Sequence, residues 1–405
     1  MTKQSNPPLE GIRVLDLGRY QAGPRCALMF ARMGAEVIKI ENLQGDESRK
    51  NGPVVRGQSA YWVQYNSGKK SLAIDLRKEE GKEVLRDLVK VSDILLQNFR
   101  PGTIDVMGFG YDELRRLNRS IIMINVSAYG QYGPYKDRVG FDPIGQALGG
   151  LMSLTGEEGM PPIKTFFPLI DRITSLHATI GALAALRERD ISGEGQTIDV
   201  CLADTGYTCN EIPISAYLGD GYSQKREGNG RGTGGCYETT DGWVIIAATN
   251  ENMWGRLVST MGKEEWLSDP RFESRQSRSE NVLYIESHLK GWFKDKTMAE
   301  ATKLLSDNGV PCSPVNTVAQ AAEDPHLEER EIMVEVPDAI AGSIHVAGKM
   351  IKFGRTEMIV GSTPTIGQHS LEILSDTLSY STEEIDRLKS NKVIRTSEVQ
   401  DKQED

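Results

Sequence analysis

The chain has 405 residues, 39% of them hydrophobic and 7% aromatic, and a formal net charge of −10. That length predicts two domains, and the acidity argues against nucleic acid or a polybasic membrane surface as the main partner. No stretch approaches the ~18 consecutive apolar residues of a membrane-spanning helix, so none is expected.

Taken in chain order, "GIRVLDLG" reads as a strand, "PRCALMFARMGA" as an amphipathic helix and "EVIKIE" as a second strand. That is a βαβ unit. The alternation continues through "KSLAIDL", "EEGKEVLRDLVKVS", "DILLQNF", "YDELRRLN" and "SIIMINVSAYG", which predicts a doubly wound, parallel, Rossmann-like sheet. A long helix after "PLI" and the strand in "GQTIDVCLAD" carry the pattern to about residue 205, so residues 1–215 form the first part of a large α/β domain. Near residue 220 a glycine-rich stretch, "REGNGRGTGG", leads into a strand that begins at Trp243 and then into mostly helical sequence. We assign 225–325 to a smaller α+β domain. Residues 330–405 hold two short strands and a helix, and are expected to return to the large domain.

The five cysteines, Cys26, Cys201, Cys209, Cys236 and Cys312, are odd in number and lack any CxxC. They read as reduced thiols of a cytoplasmic protein. The five histidines are dispersed without ligand spacing, so no metal is expected.

A parallel sheet binds ligands at the carboxyl ends of its strands, which makes the first βα turn, "GRYQAGP", a candidate site. It carries neither GxGxxG nor GK[ST], so NAD and ATP are not expected. Glu41, where an NAD enzyme keeps its ribose-binding acid, reads as a surface strand end. Gln21 and Ala22 instead offer an amide and backbone N–H groups at a helix start, with Pro24 in the first turn.

In "PLIDRITSLHATIGALAALRERD", Ile173, Leu176, Ile180, Leu183 and Leu186 recur at helical spacing and are expected to face the core. Asp171, just ahead of that run, fits a helix N-cap. Against a pure cap, Thr174 stands where a capping box needs Glu or Gln. Residues alone leave cap and reagent open.

Several segments together resemble the class III coenzyme A transferases, the family of formyl-CoA transferase and carnitine CoA-transferase. They are "PLEGIRVLDLGRYQAGP", "MGAEVIKIE" with "GDESR", "YNSGKKSLAIDL", "QNFRPGTIDVMGFGYDELRRLN", "SAYGQYGPYKDRVGFDPIGQALGGLMSLTG", "GALAALRERDISGEGQTIDVCLAD", "GVPCSPVNTVAQAAEDPHL" and "TIGQHSLEIL". The resemblance implies that Asp171 is a nucleophile, with Gln21 and Ala22 beside it. Tyr61 and the glycine loop around Gly232, Gly234 and Gly235 would cover it, the alternative for that loop being a domain linker. It places coenzyme A, the co-substrate carried as acyl-CoA, along Asn98, Phe99, Gly102 and Met107, though Phe99 reads equally as core. It also implies an interlocked dimer, homomeric or paired with a homologous non-catalytic subunit. Asn42 and Val106 stand where formyl-CoA transferase has arginines, so Lys39, Arg49, Lys69, Lys70 and Arg100 become candidates for the CoA phosphates.

The same fold includes α-methylacyl-CoA racemases, which exchange an α-proton with the Asp and a His. Phe141 occupies the position of that His and cannot accept a proton, which disfavours an epimerase. Arg172 after the nucleophile, with Arg19 and Arg25 at the first turn, reads either as solvated surface charge or, if one faces the site, as a bidentate grip on a second carboxylate. The expected donor is therefore succinyl-CoA and the acceptor a substituted dicarboxylate such as benzylsuccinate. An ordinary, ionised carboxylate at neutral pH is expected for Asp171.

Overall fold

The computed structural model describes residues 6–230 and 232–397, and the apolar runs of the sequence become the strands of one sheet. These are β1 (Arg13–Asp16), β2 (Glu36–Glu41), β3 (Lys70–Ile74), β4 (Ile94–Gln97), β5 (Ile122–Ser127) and β6 (Thr197–Cys201). All six are parallel, in the order β3-β2-β1-β4-β5-β6, and Ile394–Arg395 adds an antiparallel strand beyond β3. That is the doubly wound order expected, with its switch point between β1 and β4. Alternation along the strands builds two cores. Leu15, Ile38, Leu72 and Leu95 face one side, and Val14, Val37, Ile94 and Ile122 face the other.

Four helices position the site. They are α1 (Ala22–Arg32), α2 (Ala60–Asn66), α3 (Asp142–Leu148) and α4 (Leu169–Ser192). The core face of α4 differs from the one expected. Its buried residues are Ile170, Thr174, Ser175, Ala178, Thr179, Ala182, Ala185 and Leu186, whereas Leu176 is 39% and Ile180 64% exposed. Small residues let α4 lie close against α1, where the Thr179 hydroxyl meets Cys26 Sγ at 3.5 Å. Of the larger side chains, Ile170 and Leu186 are buried and Leu183 packs partly on the core, while Leu176 and Ile180 point outward. Among the described residues α4 alone is long and apolar enough to cross a membrane, and that test is also passed by core helices.

The chain divides into two compact units. One runs to Leu151 and adds Lys164–Ser215 and the chain from His326 onward; the other is Met152–Ile163 with Ala216–Pro325. Residues 152–163, inside the 1–215 span read from sequence, thus cluster with the second unit. That unit carries an antiparallel sheet of Cys236–Glu238, Trp243–Ile246 and Cys312–Pro314 over a core of Trp254, Trp266, Phe272 and Phe293.

Candidate active site

The first βα turn is held by a buried ion pair. Asp16, at the carboxyl end of β1, accepts the Gly18 N–H at 2.8 Å and the Lys69 ammonium at 2.7 Å. Lys69 also donates to Pro24 O and Asn66 Oδ1, at 2.8 and 3.0 Å, which ties the turn to α1 and α2. Burial draws Lys69 down to about 8, against the opposing pull of Asp16. A Cβ on Gly23 would lie 3.2 Å from the Gly18 Cα. Close strand–helix packing is thus achieved here without the dinucleotide fingerprint.

That turn delivers Gln21 and Ala22 to the start of α1. Gln21 is buried and donates from Nε2 to Pro168 O at 3.2 Å, while its Oε1 is buried with no partner among the described residues. Ala22 stands in the first turn, where backbone N–H groups have no intrahelical acceptor. Both line a cavity of about 610 Å³, together with Asn98, Phe99, Arg100, Phe141 and Asp171.

Asp171 is not the cap of α4. The N-cap is Pro168, without a side-chain bond, and Asp171 is the third helical residue. Its N–H donates to Asp142 Oδ1 at 3.0 Å. Asp142 also accepts from Gln146 Nε2, and Gln146 is braced by the Thr165 hydroxyl at 2.9 Å and the Thr165 N–H at 3.0 Å. Burial, and next the Asp142 charge, push the Asp171 carboxyl up to about 7. The expectation of an ordinary carboxylate is therefore corrected: Asp171 holds its proton to much higher pH than an unperturbed aspartate does. Tyr61 and Tyr65 stack edge-on along α2 at 5.0 Å, and burial raises both phenols, with Asp171 among the charges that add to it.

The candidate CoA residues separate into two groups. Asn98, Phe99 and Arg100 follow β4 and line the cavity. Asn98 clasps Arg19, accepting its N–H at 2.7 Å and donating to its carbonyl at 2.8 Å. The Arg19 guanidinium lies 5.2 Å from the Phe99 ring centroid. A second cavity, about 490 Å³, is lined by Asn42, Leu76 and Met107 and shares Arg19, Phe99 and Thr103 with the first. Phe99 and Met107 also pack on the core beneath, so the two readings of Phe99 are compatible. Gly102, at φ +82°, caps the short helix Thr103–Val106 in a conformation that favours glycine.

Lys39 and Lys70 do not belong with them. Lys39 is wholly buried, with its ammonium on Gly18 O and on Asp46 at 3.1 Å. Lys70 opens β3, the end away from the ligand crevice, and bridges Glu36 and Glu372, each at 2.6 Å. Lys69 is spent on Asp16, as described. Glu41 is buried rather than at the surface; it receives Arg49 at 2.9 and 2.7 Å and the Ser71 hydroxyl at 2.5 Å. Arg49 is thereby committed too. Gly234 and Gly235 belong to the second unit, in and after a tight turn over Gly232–Gly234. Phe141 stands edge-on to Tyr20, their centroids 6.0 Å apart. Arg172 lies 5.6 Å from the Phe167 ring centroid and does not line either cavity.

Sequence reasoning missed Asp142, although it lies in the "GFDPIGQ" stretch where only Phe141 was weighed. It also missed Tyr65, one helical turn after Tyr61. Among the described residues no three His, Cys, Asp or Glu side chains gather to hold a metal.

The fold and site define an α/β protein with a half-buried aspartate, its acidity weakened by its surroundings, facing a ligand-sized cavity at the carboxyl edge of its sheet. Residues 9–370 match the sequence profile of CoA-transferase family III, and the chain belongs to that family. It is 35% identical to a succinyl-CoA–D-citramalate CoA-transferase of Chloroflexus aurantiacus, over 97% of this chain and 100% of that protein. The beta subunit of a succinyl-CoA–L-malate CoA-transferase from the same organism is 33% identical over 96% of this chain and 98% of its own. A solved CAIB/BAIF family protein from Brucella suis superposes with a TM-score of 0.83 at 32% identity, covering 92% of this chain and all of that one. The chain is an enzyme of the CoA-transferase type, a class that works on CoA thioesters.

Proposed function

We propose that the protein moves CoA from succinyl-CoA to a dicarboxylic acid, with Asp171 as the covalent nucleophile. The observation that carries this is the half-buried Asp171 carboxyl, in the first turn of α4 and lining the 610 Å³ cavity beside Gln21 and Ala22. The relatives' names supply the substrate class: each pairs succinyl-CoA with a dicarboxylate. Benzylsuccinate fits that class as a bulkier member.

In this reading the ionised Asp171 attacks the thioester carbonyl, the C–S bond breaks, and CoA leaves as its thiolate. An aspartyl–succinyl anhydride remains. The thiolate attacks the aspartyl carbonyl, which releases succinate and forms an enzyme-bound thioester. The acceptor carboxylate attacks that thioester, and the returning thiolate takes the acyl group from the second anhydride, restoring Asp171. Charge balances throughout, so no general base is consumed. Each tetrahedral oxyanion needs fixed donors, and the Ala22 N–H and the Gln21 amide stand closest in the chain to that duty. Tyr61, Gly234 and Gly235 are assigned to covering the site and excluding water from the anhydride. CoA is assigned to the two cavities joined by Arg19 and Phe99. An α-proton exchange is not favoured, because Phe141 offers no second acid–base group.

Incubation with succinyl-CoA alone tests the reading. CoA should load onto the peptide containing "PLIDR", and borohydride should convert residue 171 to an alcohol detectable by mass. Full transfer by Asp171→Asn, with no labelled peptide in the wild type, would overturn it.

A further inference from the structure

The two loops that flank Asp171 each bring an aromatic ring into its cavity, and neither ring takes part in the steps above. On one side Gln21 donates to Pro168 O, at the start of α4, and Tyr20 directly precedes Gln21. On the other, Asp142 accepts the Asp171 N–H at 3.0 Å, and Phe141 directly precedes Asp142. The two rings meet edge to face, with centroids 6.0 Å apart and planes at 89°, and both line the 610 Å³ cavity together with Asp171. Hydrogen bonds from adjacent residues thus fix the pair to the nucleophile's helix from both sides.

Tyr20 is held there at a cost. Its φ is +60°, a left-handed conformation that glycine takes freely and a bulky residue does not. Its hydroxyl is drawn off to Glu47 Oε2 at 2.7 Å, a residue of the neighbouring cavity, so Tyr20 offers the reaction cavity ring carbon rather than a polar group. Phe141 is 65% exposed although it stands beside the nucleophile. Val126, Ala128, Val139 and Leu202 continue the wall in apolar residues. Arg138 lines it too, but its guanidinium lies against the Tyr135 ring, 3.8 Å from the centroid.

Strand order supplies a direction. The 490 Å³ cavity lies at the ends of β1, β2 and β3, and the cavity of Asp171 runs on from it to the ends of β5 and β6. CoA laid along the first leaves its acyl group to extend toward β5 and β6, where the ring pair and the apolar wall stand. A bare succinyl chain leaves that corner wet. A ring-sized apolar group fills it and gains both burial and aromatic contact.

We infer that Tyr20 and Phe141 form the subsite for an apolar, aryl-sized substituent on the acid that receives CoA. The inference rests on the reading of Asp171 as nucleophile. Donor and acceptor acyl groups occupy Asp171 in turn, and succinyl carries no substituent, so the ring pair tells the acceptor from the donor.

The test uses the full-length enzyme with succinyl-CoA as donor and two acceptors built on one succinate chain, benzylsuccinate and methylsuccinate. Its readout is the ratio of their kcat/KM values, in which a general loss of activity cancels. Wild type should favour benzylsuccinate by roughly 10-fold or more, and Phe141→Ala should remove most of that preference. Phe141→Leu, which keeps apolar bulk without the ring, should fall between. Tyr20→Gly suits the left-handed backbone, so it should fold and still lose the preference. Equal kcat/KM for the two acceptors in wild type, or a ratio left intact by Phe141→Ala and Tyr20→Gly, overturns the subsite. A lowered melting temperature with the ratio intact would show the rings serving only to pack against protein, and overturns it as well. CoA loading of the "PLIDR" peptide from succinyl-CoA is measured alongside, and its absence in wild type would instead remove the nucleophile reading on which the subsite depends.

Discussion

The Asp142 carboxylate accepts the backbone N–H of Asp171 at 3.0 Å, so a second acid is fixed beside the nucleophile by the chain itself. The charge of Asp142 adds to burial in raising Asp171 to about 7. A nucleophile must be ionised, so kcat/KM for succinyl-CoA should climb through an acidic limb centred near pH 7 and level off above it. Asp142→Asn removes the like charge and leaves burial, the larger cause. The limb should then move to lower pH. A pH–rate profile unchanged by Asp142→Asn would show that the neighbour does not tune the site.

Asp171→Asn also makes a stability prediction with a definite sign. The folded-state pKa lies above the unfolded value, so the native state holds a proton that the unfolded chain has lost between about pH 4 and pH 7. The stabilising contribution of the protonated carboxyl is complete below the lower limit and lost through the upper one. The Asn variant cannot ionise. It should match wild type at low pH and melt higher at pH 8, on the order of a few kcal/mol. Asp171→Ala should cost little through capping, because the cap position is Pro168. Thermal melts at about pH 3.5, below the lower limit, and at pH 8 decide both points.

The strands were readable because a parallel strand buried on both faces shows as a mostly apolar run, as in Ile94–Gln97 and Ile122–Ser127. The inward face of α4 was only partly readable: Leu186 and Leu183 pack on the core as expected, but close contact with α1 selected Ala178, Ala182 and Ala185 where Leu176 and Ile180 were expected. Lys39 shows a similar limit: in "EVIKIE" it looked like a basic group near a ligand, and only tertiary structure reveals Asp46 and Gly18 as its partners. Asp142 acts across 29 residues of chain through a backbone amide, a relation that no local pattern encodes.

The CoA phosphates have a short set of candidates once committed cations are removed. Arg19 and Arg100 line the cavities and form no ion pair among the described residues. Arg19→Ala and Arg100→Ala should each raise KM for acyl-CoA roughly 10-fold, as expected for a partly exposed charge-assisted contact, and should flatten its salt dependence. Lys70→Ala should leave that KM unaltered. A rise in KM with Lys70→Ala but not with the arginine variants would reverse the assignment.

The Lys69–Asp16 pair should matter to folding more than to binding. Both side chains are fully buried, and Lys69 closes a set of bonds among the first turn, α1 and α2. Removing one partner strands the other charge in a dry site. Lys69→Met should therefore destabilise by about 3–5 kcal/mol in denaturant unfolding. The double variant Lys69→Met with Asp16→Asn should recover part of that loss, since no unpaired charge remains. If the double variant is no better than the single one, the bonds to Pro24 O and Asn66 Oδ1 carry the stability instead.

The exposed face of α4 carries the last prediction. Leu176 and Ile180 of α4 are exposed, as are Ile144 and Leu148 of α3, the helix that packs on it. Water-facing apolar side chains in such numbers on two packed helices favour coverage by another chain. We expect a dimer in which a second subunit, identical or homologous, covers this face and threads through the first. Sedimentation should give twice the chain mass down to nanomolar concentration, without dissociation short of unfolding. Ile180→Asp places a charge in the covered face and should yield aggregates or lower the melting temperature, whereas on a solvent-exposed face it would change stability by only tenths of a kcal/mol. A folded, active monomer at nanomolar concentration, indifferent to Ile180→Asp, would dispose of the dimer and leave the α4 stripe facing water.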